Sequence, residues 1–501
     1  IQFIENYKQS VNPADGSTVD ANANVTLKNI STLETEIMKD YMIQLNQKLM
    51  MDKITQLFSK DLADEYKRQV ETHEIYPHDS SSLKPYCVSI SMYPFLLNGL
   101  TQLGGESKAP KNLLSFCGSF INLVFAISSQ FAGAVATVEF ITYFDYFARK
   151  EYGNDYMDRL DEVICEHKGN NIDTSVITTN PSNNHATYKT ETIGTRLAGY
   201  LQQIVYTINQ PAAARNYQSV FWNISIYDQY YFQSMFADFV FPSTNENGEF
   251  DKPSWESVKK LQVFFLKWFN EERKKALLTF PVVTCALLTD KESGTCKDEE
   301  FTNMISKELS EGNSFFMYLS ENADSLASCC RLRNEITDKT FSYTLGAGGV
   351  ATGSINVITI NMNRLIQDKR DLRTELDKIH KYQVAYRAIV EDFLEAKLLP
   401  VYDAGFITLD KQFLTIGING MVEAAESQGI QVGYNPEYVK FVQDNLKIIY
   451  NANQEASKKY GYKFNTEFVP AENLGVKNAK WDKKDGYKIP EGRDCYNSYF
   501  Y

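Results

Sequence analysis

A chain of 501 residues, 43% hydrophobic and 23% charged, has the composition of an ordinary globular protein and enough length for a large core. Its formal charge of −12 at pH 7 argues against a broad phosphate-backbone footprint, and so against nucleic acid as a partner, yet it permits a small anionic ligand in a local pocket. The eight cysteines (87, 117, 165, 285, 296, 329, 330 and 495) form no C-x-x-C pair and the five histidines complete no zinc pattern, so no metal site is expected and a reducing, cytoplasmic setting is.

Residues 1–28 are polar and read as a trailing arm. From Ser31 to about His73 apolar residues recur at helical spacing, with Thr and Glu early enough to cap. No signal peptide opens the chain; lacking an initiator Met and ending in "CYNSYFY", it reads as one piece of a longer functional unit. "EIYPHDSSSLKPYCVSI" is turn chemistry leading into a short apolar run that holds Cys87. Between Lys111 and Glu139 no charge occurs, long enough for a membrane span. Asn122, Gln130 and several hydroxyl residues interrupt it and no basic cluster flanks it, so a buried core helix or helix pair is predicted, with no membrane contact.

Residues 150–190 are polar and read as a surface loop or partner-facing insertion. Beyond them "VFWNISIYD", "FPVVTCALL", "NSFFMYLS", "SINVITINM", "FLTIGINGM" and "YKFNTEFV" read as strands, and 253–275, 365–398 and 436–460 as helices. Strands separated by helices of this length predict an α/β protein built round a central sheet or barrel.

Three features carry chemistry. "LGAGGVATGSINV" leads into a strand instead of opening a helix, so it fails the dinucleotide context, and no P-loop exists. "VPAENLGVKNA" is a strand followed by a helix start, whose backbone N–H groups could hold a phosphate, although an ordinary capped helix start explains it as well. In "ENADSLASCCRLRNE" two adjacent thiols, Cys329 and Cys330, precede Arg331. Vicinal cysteines make a strained staple, and nearby guanidiniums favour thiolate or reactive character. No His lies near them in sequence, so a Cys–His hydrolase has no local support; core filling is one reading and one-electron thiol chemistry, which spacing alone does not establish, is another. Cys285, inside an apolar strand, reads as packing.

Together "HDSSSLKPYC", "GGESKAPKNLLSFCGSFINLVFAISSQFAGAVATVEF", "NYQSVFWNISIYD", "ADSLASCCRLRNE", "GSINVITINMNRL", "TIGINGMVEAAES" and "FVPAENL" resemble the class III (anaerobic) ribonucleotide reductases over roughly residues 75–501. The resemblance implies a ten-stranded α/β barrel (76–501) with a central finger loop, preceded by an arm and helical segment (1–75). It implies reduction of ribonucleoside triphosphates by a thiyl radical that abstracts the ribose 3′ hydrogen, the thiyl arising from a glycyl radical installed by a radical-SAM activase. On this resemblance Cys330, with Cys329 as runner-up, carries the thiyl and Cys87 supplies a hydrogen to the substrate. Pro470, Ala471, Glu472, Asn473 and Leu474 receive substrate phosphates, with Gln218 and Asn223 also facing substrate.

Ser354 stands where formate-using members carry Asn, which leaves room for a redoxin working through a thiol such as Cys329 or Cys117. The family's C-terminal zinc ligands and R-V-x-G-Y motif are not found, so the radical glycine is expected outside this sequence, on a separate subunit or a missing region. Gly199 in "RLAGYL" is a poor substitute and reads as a helix glycine. A homodimer with nucleotide effectors and Mg2+ at helices and loops of about 150–200 is expected. The contrasting readings are a non-catalytic nucleotide-binding relative of the same barrel and a glycyl-radical lyase.

Overall fold

The computed structural model of the chain describes residues 1–9, 29–165, 177–179, 186–188, 191–212, 218–244, 247–321, 325–328, 332–335, 350–469 and 473–497. Beside two small two-stranded sheets within 163–192, its strands are β1 (Ile75–Pro77), β2 (Cys87–Ser89), β3 (Val135–Ala136), β4 (Trp222–Tyr227), β5 (Val282–Leu288) and β6 (Phe316–Ser320). A hairpin of β7 (Ser325–Ser328) and β8 (Leu332–Glu335) follows, then β9 (Thr352–Asn361), β10 (Gln412–Asn419) and β11 (Lys463–Glu467). All six expected strands form, and helices Trp255–Lys275, Leu372–Glu395 and Pro436–Tyr460 fill the three predicted helical stretches.

Nine strands make the main sheet among the described residues, in the order β6-β5-β4-β3-β2-β9-β10-β11, with β1 beside β9. β2 to β6 run parallel to one another, as do β9 to β11. The two sets meet antiparallel where β2 pairs with β9. β7 comes close to β4, β5 and β6, whereas β8 comes close to β9, so the hairpin is reached from both halves of a curled sheet. This is the expected α/β class in the form of a curled half-barrel: nine strands rather than ten pair among the described residues, with β6 and β11 as the two ends of the order.

All ten positions of β9 are buried, as its Ile, Val and Thr content fits a strand covered on both faces. Ile355, Ile358, Ile360, Leu414, Ile416, Ile418 and Phe464 pack outward in one cluster with helices Leu372–Glu395 and Pro436–Tyr460. Trp222, Ile224, Ile226, Val283 and Cys285 do the same with helices Leu113–Ser128, Phe140–Tyr152 and Trp255–Lys275. A small third cluster, Tyr86, Cys87, Ala134, Ala136, Val357 and Val469, occupies the other face. The apolar layers therefore lie outside the sheet, and the inner face carries small and polar side chains.

The segment from Ser31 to His73 forms two helices, Ile30–Leu57 and Lys60–Glu71, because Ser59 leaves the helix and caps the second with its hydroxyl. Helix Ile30–Leu57 starts one residue earlier than the expected segment, with Asn29 and Thr32 forming the capping box. The charge-free stretch is not a helix pair: helix Leu113–Ser128 is followed by strand β3. A Cβ added at Gly133 would lie 2.5 Å from Cys87 Sγ, and Val135 pairs with both Val88 and Trp222, so sheet contacts override local helical tendency. Among the described residues no helix is long and apolar enough to cross a membrane.

Glu139 ends this stretch fully buried, its Oε2 accepting from the Met92 N–H at 2.9 Å. Burial raises its pKa from 4.5 to about 8. An acid held neutral in the fold gives a stability that is full below the unfolded value and declines as pH climbs from 4.5 towards about 8. Glu139→Gln keeps the acceptor and removes the proton. Its melting temperature should rise relative to wild type, the gap widening between about pH 5 and pH 8 in thermal scans.

Candidate active site

Cys87 sits on the inner face with no exposed surface. The Ala134 N–H donates to its Sγ at 3.3 Å, and the close approach of Gly133 leaves no space for a side chain there. Directly opposite Cys87 on β9 is Ser354. A bulge between Ser354 and Asn356 resets the alternation of β9, so that Ser354 and Val357 both face inward.

From Ser354 a chain of hydrogen bonds crosses three strands. Its hydroxyl lies 2.7 Å from Thr415 Oγ1. The Thr415 hydroxyl donates to Asn465 Oδ1 at 2.7 Å, and Asn465 Nδ2 donates to Glu467 Oε1 at 3.2 Å. Further along the same face, His78 Nε2 is 2.7 Å from Thr359 Oγ1, and Gly417 lies so close to Thr359 that any Cβ would collide with it.

Asn223 and Ser225 alternate with outward-packed Trp222, Ile224 and Ile226, so they face inward on β4. Asn223 Nδ2 donates to Thr284 Oγ1 at 3.3 Å. Asn223 Oδ1 and Ser225 Oγ are buried and have no hydrogen-bond partner among the described residues. A buried polar atom left unmatched costs about 1–3 kcal/mol, so these two call for a polar group inside the sheet's curl. Gln218, by contrast, sits in an isolated bridge to Ala212 before β4 and is not on the strand.

The helix Leu474–Lys484 begins at the expected place. Asn473 holds a left-handed conformation at φ 54° and Leu474 is buried beneath it. Asn478 Nδ2 donates to Asn419 Oδ1 at 2.7 Å, which fixes the helix start at the end of β10. Lys477 Nζ donates to Tyr76 OH at 3.0 Å and adds a cation in the first turn. Pro470, Ala471 and Glu472 lie outside the described residues, as do Cys329 and Cys330. The strands that flank the two cysteines are paired, with Ser328 opposite Leu332.

In the last turn of helix Leu474–Lys484, Asp482 is fully buried and accepts from Asn361 Nδ2 and Asn363 Nδ2 at 3.0 Å, Arg364 Nε at 2.5 Å and Tyr496 OH at 2.6 Å. Arg364 also donates to Asp485 and to the Thr72 carbonyl, both at 2.6 Å.

Two thiols prove to be packing. Cys285 is buried in the outer layer, and burial drives its pKa far up. Cys117 is likewise fully buried in helix Leu113–Ser128, its thiol pushed up by burial, so it cannot meet a redoxin as the sequence allowed. Gly199 lies exposed in helix Ile193–Ile208 with open space where a Cβ would sit, an ordinary helix glycine.

Thr415, Asn465, Glu467, Thr359 and His78 were not singled out from sequence. Their signal was present: in "FLTIGING" and "KFNTEF" polar or glycine positions alternate with apolar ones, which is what a strand apolar outside and polar inside requires.

A sheet curled about a hairpin, apolar outward and polar inward, with a buried thiol on its inner face, has the α/β half-barrel form of the anaerobic ribonucleotide reductase fold. The chain belongs to the anaerobic ribonucleoside-triphosphate reductase family, whose family model matches residues 34–501, and it is therefore an oxidoreductase. Among solved structures it is similar to the anaerobic ribonucleotide reductase from Thermotoga maritima with citrate in the active site. That match has 25% identity and a TM-score of 0.73, covering 94% of this chain and 80% of the other. The same enzyme with dATP bound in the specificity site matches at 26% identity and TM-score 0.74, over 94% and 75% of the two chains. A further anaerobic ribonucleotide reductase matches at 25% and 0.75, over 99% and 73%. No curated protein sequence matches.

Proposed function

We propose that the protein reduces ribonucleoside triphosphates to their 2′-deoxy forms by thiyl-radical chemistry inside the curled sheet. The observation that carries this reading is Cys87, held without exposure on the inner face of a sheet whose strands β4, β5, β6 and β9 come close to β7 and β8. Cys330, with Cys329 as the alternative, takes the 3′ hydrogen atom of the ribose as a thiyl and returns it at the end. The 2′-hydroxyl leaves with a proton as water, and Cys87 supplies a hydrogen to the sugar. The net change replaces one C–OH by C–H and releases one water, which requires two electrons and two protons from a reductant.

A glycyl radical installed by a radical-SAM activase would supply the initial oxidation of the thiol. Asn223, with its unmatched amide oxygen, and Ser225 would bind the nucleotide. Asn473 and Leu474, together with Pro470, Ala471 and Glu472, would receive its phosphates, carried with Mg2+. Gln218 remains a proposed substrate contact at the edge of this group. Effectors such as the dATP of the Thermotoga maritima relative would bind at the helices and loops around 150–200 of a homodimer.

Ser354 favours a redoxin over formate as reductant. An anaerobic assay with activase, a glycyl-bearing chain and either reductant tests this: deoxynucleotide should form with the redoxin. Product with formate alone would overturn the inference from Ser354. Nucleotide binding without any product would favour the non-catalytic relative.

A further inference from the structure

Two inward side chains of β4 hold polar atoms that the fold leaves unmatched. Asn223 is 1% exposed and Ser225 0%, so neither meets solvent. Thr284 of β5, directly opposite Ser225, accepts from Asn223 Nδ2 at 3.3 Å. Asn223 Oδ1 and Ser225 Oγ are then left with no hydrogen-bond partner among the described residues. A fold keeps such atoms at a cost in stability, and a ligand that satisfies them repays it.

The chemistry of the two atoms selects the part of a nucleotide that fits. An amide oxygen only accepts, so Asn223 needs a donor, whereas the Ser225 hydroxyl both donates and accepts. Ionised phosphate oxygens only accept and do not serve Asn223. Nucleobases carry N–H groups, at positions that change from base to base. The ribose 2′- and 3′-hydroxyls donate and accept, sit side by side and are the same in every ribonucleotide. Position agrees with chemistry. Asn223 lies in register with Ala136 of β3 and, through it, with Ser89 of β2, two residues beyond Cys87. Cys87 and Ala136 share the inner face. Strand spacing and rise put Asn223 about 12 Å from Cys87 between α-carbons, which leaves room for a sugar between the two side chains. We infer that Asn223 and Ser225 form the subsite for the ribose diol and set a preference for ribonucleotide substrate over deoxyribonucleotide product. This rests on the reading of the curl as a nucleotide pocket and adds which part of the ligand β4 recognises. The product has lost one hydroxyl, leaves a buried group unmatched again and binds less tightly than the substrate, which favours its release.

Calorimetric titration of the unactivated protein with CTP and with 2′,3′-dideoxy-CTP reads this without turnover. The wild type should bind CTP about tenfold more tightly or better. Asn223→Ala should lower CTP affinity about tenfold and leave the dideoxy affinity unchanged, so that the ratio approaches one. Ser225→Ala should move the ratio the same way. Nucleotide sites elsewhere in the molecule do not respond to these inner-face variants. A second readout has the opposite sign from a structural role. With no nucleotide bound, Ser225→Ala removes an unmatched buried hydroxyl and should raise the melting temperature by about 1 °C.

Equal loss of CTP and dideoxy-CTP affinity in Asn223→Ala overturns the inference, because the base or the packing would then be what the residue serves. A lower melting temperature in Ser225→Ala with an unchanged affinity ratio overturns it too, by making the hydroxyl structural. CTP bound by the wild type with no preference over the dideoxy form ends this inference alone and leaves the nucleotide pocket standing. Binding of neither nucleotide removes the pocket itself, and the inference with it.

Discussion

Cys87→Ser should abolish deoxynucleotide formation, with a residual rate below detection, while nucleotide affinity stays close to that of the wild type. The serine hydroxyl fits the same buried space beside Gly133, so the fold has no reason to change. Its O–H bond, however, is too strong to give up a hydrogen atom to a carbon-centred radical. Cys330→Ala should have the same outcome by removing the thiyl itself; turnover that survives it would move that role to Cys329. The measurement is product formation in the anaerobic assay beside calorimetric nucleotide binding. Normal turnover by Cys87→Ser would remove this thiol from the reaction, and loss of binding would make its role structural.

The second large effect concerns stability. Asp482→Ala should destabilise the fold by about 3–5 kcal/mol, because it strands the buried Arg364 guanidinium and leaves Asn361, Asn363 and Tyr496 without their common acceptor. Among the described residues Asp485, 39% exposed, is the other acid paired with Arg364. Denaturant titration of Asp482→Ala, Arg364→Leu and the double variant checks this. The double variant should be more stable than the sum of the singles predicts, since removing both charges leaves none unpaired. Strict additivity would show that the pair is not coupled. The cluster joins the ends of β9 and of helix Leu474–Lys484 to the segment bearing Tyr496, so its loss should also loosen the last turn of that helix.

Local sequence determined much of this protein. The β-branched runs that became β4, β5, β9 and β10 and the periodic stretches that became the long helices were legible because propensity and burial pattern agree there. The family motifs point to Cys87, to Cys329 and Cys330, and to the turn at 470–474 from sequence alone. What local sequence left open are the places where distant segments meet. "AGAVATV" continues an apolar helix in pattern yet becomes β3, since pairing with β2 and β4 outweighs helical tendency. The bulge at Ser354, the opposition of Ser354 to Cys87 and the row from Thr415 to Glu467 arise only from register between strands far apart in the chain. Side-chain type determines which face of a strand can be buried. Which partner lies across that face is decided by tertiary pairing, because cross-strand hydrogen bonds and packing join residues that no short window of sequence contains together.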